Sequence, residues 1–150
     1  MTACRVLVGE ADFDAGAELA RLNAPGTGGI GSFIGTVRDD GVNITALSLE
    51  HYPGMTERAL QKIIDEAAAR WPLLACTVIH RVGRLLPGDN IVFVGAASPH
   101  REAALQATAF LIDWLKTAAP FWKREEFADG SAAWVAARED DEAAAAAWRK

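Results

Sequence analysis

Cysteine is scarce in this sequence: of 150 residues only Cys4 and Cys76 carry thiols, and neither belongs to a C-x-x-C pair. A disulfide scaffold, a zinc ribbon and a thioredoxin-type redox centre are therefore excluded. Each cysteine lies in a strand-like apolar run and is expected to be a buried structural thiol. Histidine is also sparse. His51, His80 and His100 are scattered without metal-ligand spacing, so no metal site is expected. Long apolar runs are missing as well, none approaching the ~20 residues that cross a bilayer. The opening M-T-A-C-R-V-L-V-G-E lacks the apolar stretch of a signal peptide. These absences predict a cytoplasmic protein with no membrane contact.

Positive charge is in deficit, with a formal net charge of -5, and the deficit is uneven. Residues 1–30 carry two basic and four acidic side chains, residues 126–150 three and six, and residues 31–125 ten of each. No broad basic face emerges, so nucleic acid is not an expected partner.

What is present is a chain long enough to fold as one domain over 1–150 without staples. Arg5 to Val8 reads as a first strand and Asp14 to Leu22 as a helix. The following A-P-G-T-G-G lacks the order of a phosphate-cradling P-loop and reads as a turn or crossover. Ile30 to Arg38 and Asn43 to Tyr52 read as strands joined in a hairpin by the turn-prone Asp39 to Gly41. Ala59, Leu60, Ile63, Ile64 and Ala67 recur at helical spacing within an amphipathic helix over Thr56 to Arg70. Cys76 to Leu86 and Asn90 to Ser98 form two more strands around Pro87-Gly88-Asp89. Ser98 offers an N-cap and Pro99 a first helical residue for a second principal helix, reaching about Ala119. Trp122 to Phe127 and Ala132 to Ala136 are expected to pair, and the alanine-rich tail 139–150 to fray. The fold class is α+β, with a mainly antiparallel sheet and two principal helices.

The chemistry concentrates in L-K-T-A-A-P-F-W-K-R-E at 115–125, where Lys116, Lys123 and Arg124 occur with no acid between them. A cationic knot in an acidic chain suggests an anionic ligand. Crowded lysines in apolar surroundings also have depressed amine pKa values and become usable in chemistry. The competing reading is a solvated helix end that complements the helix dipole. Arg38 closes a strand, where a guanidinium can fork onto phosphate. His100 and Arg101 sit at a helix start, beside unpaired backbone N–H groups. Fifteen residues separate Arg101 from Lys116, or ~22 Å along one helix. If both touch one small ligand, they come from two copies of the chain.

F-I-G-T-V-R at 33–38, L-E-H-Y-P-G-M-T-E at 49–57, H-R-V-G-R-L-L-P-G-D at 80–89, S-P-H-R-E at 98–102 and the lysine segment occur in this order. Together they resemble the large, catalytic subunit of molybdopterin synthase, the MoaE family, from about Val6 to Arg138. The resemblance implies an α/β hammerhead-type fold with an added antiparallel subdomain. It also implies a sulfurtransferase that converts cyclic pyranopterin monophosphate to molybdopterin. Two sulfurs come from the thiocarboxylated C-terminal Gly-Gly of a small ubiquitin-like subunit, within a heterotetramer built on a homodimer, and no cofactor is used.

By motif position, the resemblance implies Lys116 and Lys123 as catalytic lysines. Arg38, His100, Arg101 and Arg138 become substrate contacts, with Thr36, Val37, Arg124 and Glu125 lining the same pocket. Thr36 stands where some relatives carry lysine. A subunit that binds the pterin phosphate or the partner's tail without catalysis is the alternative. His51 and His80 are read as strand residues satisfied by hydrogen bonds.

Overall fold

Local chemistry sets the ends of the elements. The computed structural model describes residues 2–39, 43–135 and 139–149. Strand β1 (Ala3–Gly9) leads to helix α1 (Ala15–Leu22), where the Asp14 carboxylate accepts from the Ala17 N–H at 3.1 Å as an N-cap. Strands β2 (Gly29–Thr36) and β3 (Ile44–His51) precede α2 (Met55–Arg70). At the start of α2 the Glu57 side chain reaches back to accept from the Gly54 N–H at 3.1 Å. Strands β4 (Ala75–Arg81), β5 (Gly83–Leu85) and β6 (Asn90–Ser98) lead into α3 (Arg101–Thr117). Then come β7 (Phe121–Phe127), β8 (Ala132–Val135), α4 (Glu139–Ala146) and a 3-10 turn (Ala147–Arg149). No described helix is long and apolar enough to cross a membrane.

The strands form two four-stranded sheets, β1-β4-β6-β2 and β5-β3-β7-β8. Pairing is antiparallel except between β1 and β4, which agrees with the mainly antiparallel α+β class. The expected β2–β3 hairpin does not form. β2 pairs with β6, and β3 pairs with β5 and β7 in the other sheet. A continuous apolar strand like β6, buried along nearly its whole length, takes a partner on each side. The expected strand over 76–86 is likewise divided. Gly83, at φ 89°, turns the chain out of the first sheet and into the second.

The main core lies between the first sheet and helices α2 and α3, with Leu60, Ile64, Val78, Val94 and Leu111 fully buried. A smaller cluster under α1 covers the opposite face through Leu22, Ile79 and Phe93. A third cluster, Val37, Leu49, Val82 and Leu85, fills the seam between the sheets. The glycines of β2 explain how closely α3 approaches. A Cβ on Gly31 would lie 2.6 Å from the Ala104 carbonyl oxygen, inside any allowed contact.

Two local expectations are corrected. Ser98 ends β6 and donates its hydroxyl to the Pro72 carbonyl at 3.1 Å, so His100, not Ser98, is the N-cap of α3. Cys4 is exposed because β1 is an edge strand, whereas Cys76 is buried as expected. In the tail, Glu139–Ala146 is helical. Trp148 packs edge-on against Trp71 and Phe110, and its indole N–H donates to Asp113 at 2.7 Å.

Gly31→Ala should destabilise the protein by about 1–3 kcal/mol, because the backbone of α3 must retreat from β2. Equilibrium urea unfolding measures it, and an unchanged midpoint would show that the close approach is not required.

Candidate active site

The end of α3 and the start of β7 build the lysine site. Lys116 stands in the last helical turn, where its charge complements the helix dipole. The Ala118 N–H closes the helix onto the Trp114 carbonyl at 2.8 Å, and Pro120 prevents its continuation. The strand that begins at Phe121 then returns Lys123 to the same place. Both lysines line a cavity of about 50 Å³ with Thr36, His80, Phe33, Gly35, Ile91, Val92, Ile112 and Leu115. Its walls are mostly apolar, and no carboxylate is among the described residues that line it.

A β-bulge shapes one wall. Gly35 pairs with Val92, but Thr36 pairs with Asn90, which leaves Ile91 as an extra residue on β6. A bulge re-aims the side chains beside it, here Thr36 and Ile91, both at the cavity. Gly35 is fixed by the same crowding, since a Cβ would meet Val92 at 2.8 Å.

The remaining candidates fall in different places. Arg38 is exposed just beyond β2. Val37 is 3% exposed in the seam cluster, and both its backbone groups are engaged, with Asp89 and Gly88. Glu125 shares the face of β7 that carries Lys123, two residues away, whereas Arg124 points to the opposite face beside the exposed Trp122. Arg124 therefore does not join Lys123 in the cavity. Arg138 lies outside the described residues.

His100 and Arg101 open on a second, shallow pocket of about 430 Å³ with Gly28, Pro99 and Glu102, at the far end of α3. His100 makes no capping hydrogen bond with its side chain. The helix start thus keeps N–H groups available for an anion. The two basic centres are separated by the length of α3, so one chain does not bring them onto one small ligand.

His80 is the residue whose place the sequence reading missed. As expected of a satisfied strand histidine, its Nδ1 lies 2.8 Å from the Arg81 carbonyl oxygen. It also lines the lysine cavity, and its ring stacks on Phe121 with centroids 3.8 Å apart and planes at 17°. Burial pushes its pKa down to about 4. The Arg81 carbonyl opposes this, and the charges of Lys123, Lys116 and His51 add to the depression. The available signal was position: His80 precedes, by three residues, the glycine that carries the chain between sheets. The cysteines stay apart from this chemistry. Cys76 is pushed up to about 12 by burial, and partial burial raises Cys4 as well.

Comparison with known proteins bears on the same residues. The family model described as MoaE protein matches residues 8–118. The chain belongs to the MoaE family. A protein of Ralstonia nicotianae named molybdopterin synthase catalytic subunit is 55% identical over 147 residues, 95% of this chain and 83% of that protein. One of Pseudomonas aeruginosa with the same name is 52% identical over 149 residues, 97% of this chain and 99% of that one. Among solved structures, molybdopterin cofactor biosynthesis protein E from Burkholderia multivorans superposes with a TM-score of 0.82 at 47% identity, covering 97% of each chain. The MoaE match spans the bulge, His80, the start of α3 and Lys116, and the alignments with the two relatives cover 95% and 97% of this chain.

Because the folded protein holds His80 neutral, the unfolded chain binds a proton between the ordinary histidine pKa of 6.5 and about 4 that the native state refuses. Stability should therefore fall as pH drops from 6.5 towards 4, by at most about 3 kcal/mol from this group. Urea unfolding at pH 7 and pH 4.5 checks it. His80→Phe should lack this part of the loss, and an equal loss in the variant would show that His80 is not its source.

Proposed function

We propose that this chain is the catalytic subunit of a molybdopterin synthase. It converts cyclic pyranopterin monophosphate to molybdopterin by taking two sulfurs from the thiocarboxylated C-terminus of a small ubiquitin-like subunit. The observation that carries this reading is the convergence of Lys116 and Lys123 on one apolar-walled cavity, with no carboxylate among the described residues that line it. It occurs in a chain more than half identical, over nearly its full length, to proteins named molybdopterin synthase catalytic subunit.

Each sulfur transfer forms a carbon–sulfur bond and displaces oxygen, so negative charge develops at the substrate. Two ammonium groups held in an apolar site stabilise such charge far better than they would in water. Lys116, in the last turn of α3, and Lys123, on β7, approach the cavity from two elements, which fixes them on either side of a reacting centre. Phe33 adds a flat apolar contact suited to a pterin ring. The phosphate suits Arg38 and the His100–Arg101 helix start, with Arg138 as a further contact. Thr36 lines the cavity with the lysines, and Glu125 lies outside that lining, two residues from Lys123 on the same face of β7. Since the helix start and the lysines lie at opposite ends of α3, we assign the His100–Arg101 contacts and the lysines of one site to two copies of the chain, with Arg38, two residues beyond Thr36, on the copy that supplies the lysines. The working assembly is then a homodimer with a small subunit at each end, acting in the cytoplasm, each copy forming one domain.

The test is a reconstituted assay with the thiocarboxylated small subunit and cyclic pyranopterin monophosphate. Wild type should yield the dithiolene product. Lys116→Ala should lose at least about a hundredfold in turnover while still binding the small subunit. Wild type that binds the pterin without forming product would instead identify a recognition subunit.

A further inference from the structure

The cavity contains one polar group to which the lysine reading gives no task. His80 is 5% exposed, stacked face to face on Phe121, and at the cavity wall with both lysines. Its Nδ1 faces the Arg81 carbonyl oxygen at 2.8 Å, so in the neutral ring that nitrogen carries the proton and Nε2 keeps a lone pair. Phe121 and Lys123 are two residues apart on β7 and share one face of the strand. The ring stacked on Phe121 therefore lies beside the root of the Lys123 side chain.

We propose that His80 is a positioning residue for Lys123. Its neutral imidazole fixes Phe121 by stacking and accepts a hydrogen bond at Nε2 from the Lys123 amine, aiming that amine into the cavity. The inference rests on the proposed synthase site and adds to it the group that orients one of its lysines. Among the described residues, the charged or titratable groups acting on the ring are Lys123 on β7, Lys116 on α3 and His51 on β3. All are cationic or neutral, so the imidazole is suited to remain an acceptor. No carboxylate is among the described residues that line the cavity, so the imidazole, like the Thr36 hydroxyl, can hold an ammonium there without neutralising it. A carboxylate in its place would cancel the charge that the reaction needs.

The test compares wild type, His80→Phe and His80→Gln. Phenylalanine keeps the stack and the burial but removes the acceptor, whereas glutamine returns an acceptor near the Nε2 position. The first readout needs no turnover: amine labelling of Lys123 and Lys116 as a function of pH, quantified by peptide mass spectrometry. An accepted hydrogen bond stabilises the ammonium, so Lys123 in His80→Phe should become reactive at lower pH and return towards wild type in His80→Gln. Lys116 should shift less. In the reconstituted assay, His80→Phe should lose about tenfold to a hundredfold in kcat, the effect of one charge-assisted hydrogen bond, with KM little changed. Glutamine should recover part of that loss.

Unchanged Lys123 labelling in a folded His80→Phe protein would overturn the proposal, as would equal loss of activity in both variants. If neither variant folds, the histidine ¹⁵N spectrum of wild type decides. An unprotonated Nε2 with a hydrogen-bonded shift at pH 7 upholds the assignment, and a protonated Nε2 overturns it. Absence of product from wild type, with the labelling shift intact, would count against the synthase reading and not against this one.

Discussion

The stack of His80 on Phe121 is the contact on which the candidate site depends. It joins β4 of one sheet to β7 of the other, where Gly83 has just carried the chain across the seam. Stacked rings bury apolar area with a defined orientation, so this contact sets where β7 lies relative to α3 as well as holding the sheets together. Because Lys116 ends α3 and Lys123 lies on β7, the seam fixes the spacing of the two lysines. The Val37, Leu49, Val82 and Leu85 cluster supports it from beneath. Structural and chemical demands thus fall on one residue pair, which explains a neutral, buried histidine next to two cations.

The second constraint is length. Helix α3 is the rod between two basic centres, and its glycine-lined bed on β2 lets it lie close against the sheet. One end offers uncapped N–H groups with His100 and Arg101, and the other offers the lysines. A single rigid helix cannot bring its two ends to one small molecule. Under the proposed function each substrate therefore bridges two chains, and the exposed apolar groups on these surfaces, among them Leu105, acquire a use that an isolated chain does not give them.

Much of this was legible in the sequence because it is local. The first helix near Asp14 to Leu22, the α2 periodicity, the span of β6 and the lysine-proline-lysine segment depend on neighbours in the chain, and the structure has them where the residues placed them. What was not legible is long-range pairing. Turn residues between β2 and β3 suggested a hairpin, but the better partner for β2 was the apolar β6, more than fifty residues on. Ser98 looked like a cap because capping chemistry is short-range, while the Pro72 carbonyl that claims its hydroxyl is distant in sequence. Trp148 gave no periodic signal at all, since it docks as a single side chain. His80 was read correctly as a hydrogen-bonded strand residue, but only tertiary structure puts that strand end against the lysines.

The central claim, that one site is assembled from two copies of the chain, is tested most directly by complementation. Lys116→Ala and Arg101→Ala proteins, each inactive alone, would be unfolded together, refolded and assayed with the thiocarboxylated small subunit and cyclic pyranopterin monophosphate. Mixed dimers contain one site with both defects and one with neither, so the account predicts that dithiolene formation returns. If each chain builds its own site, every site in the mixture keeps one defect, and persistent inactivity in dimers shown to be mixed would contradict the account.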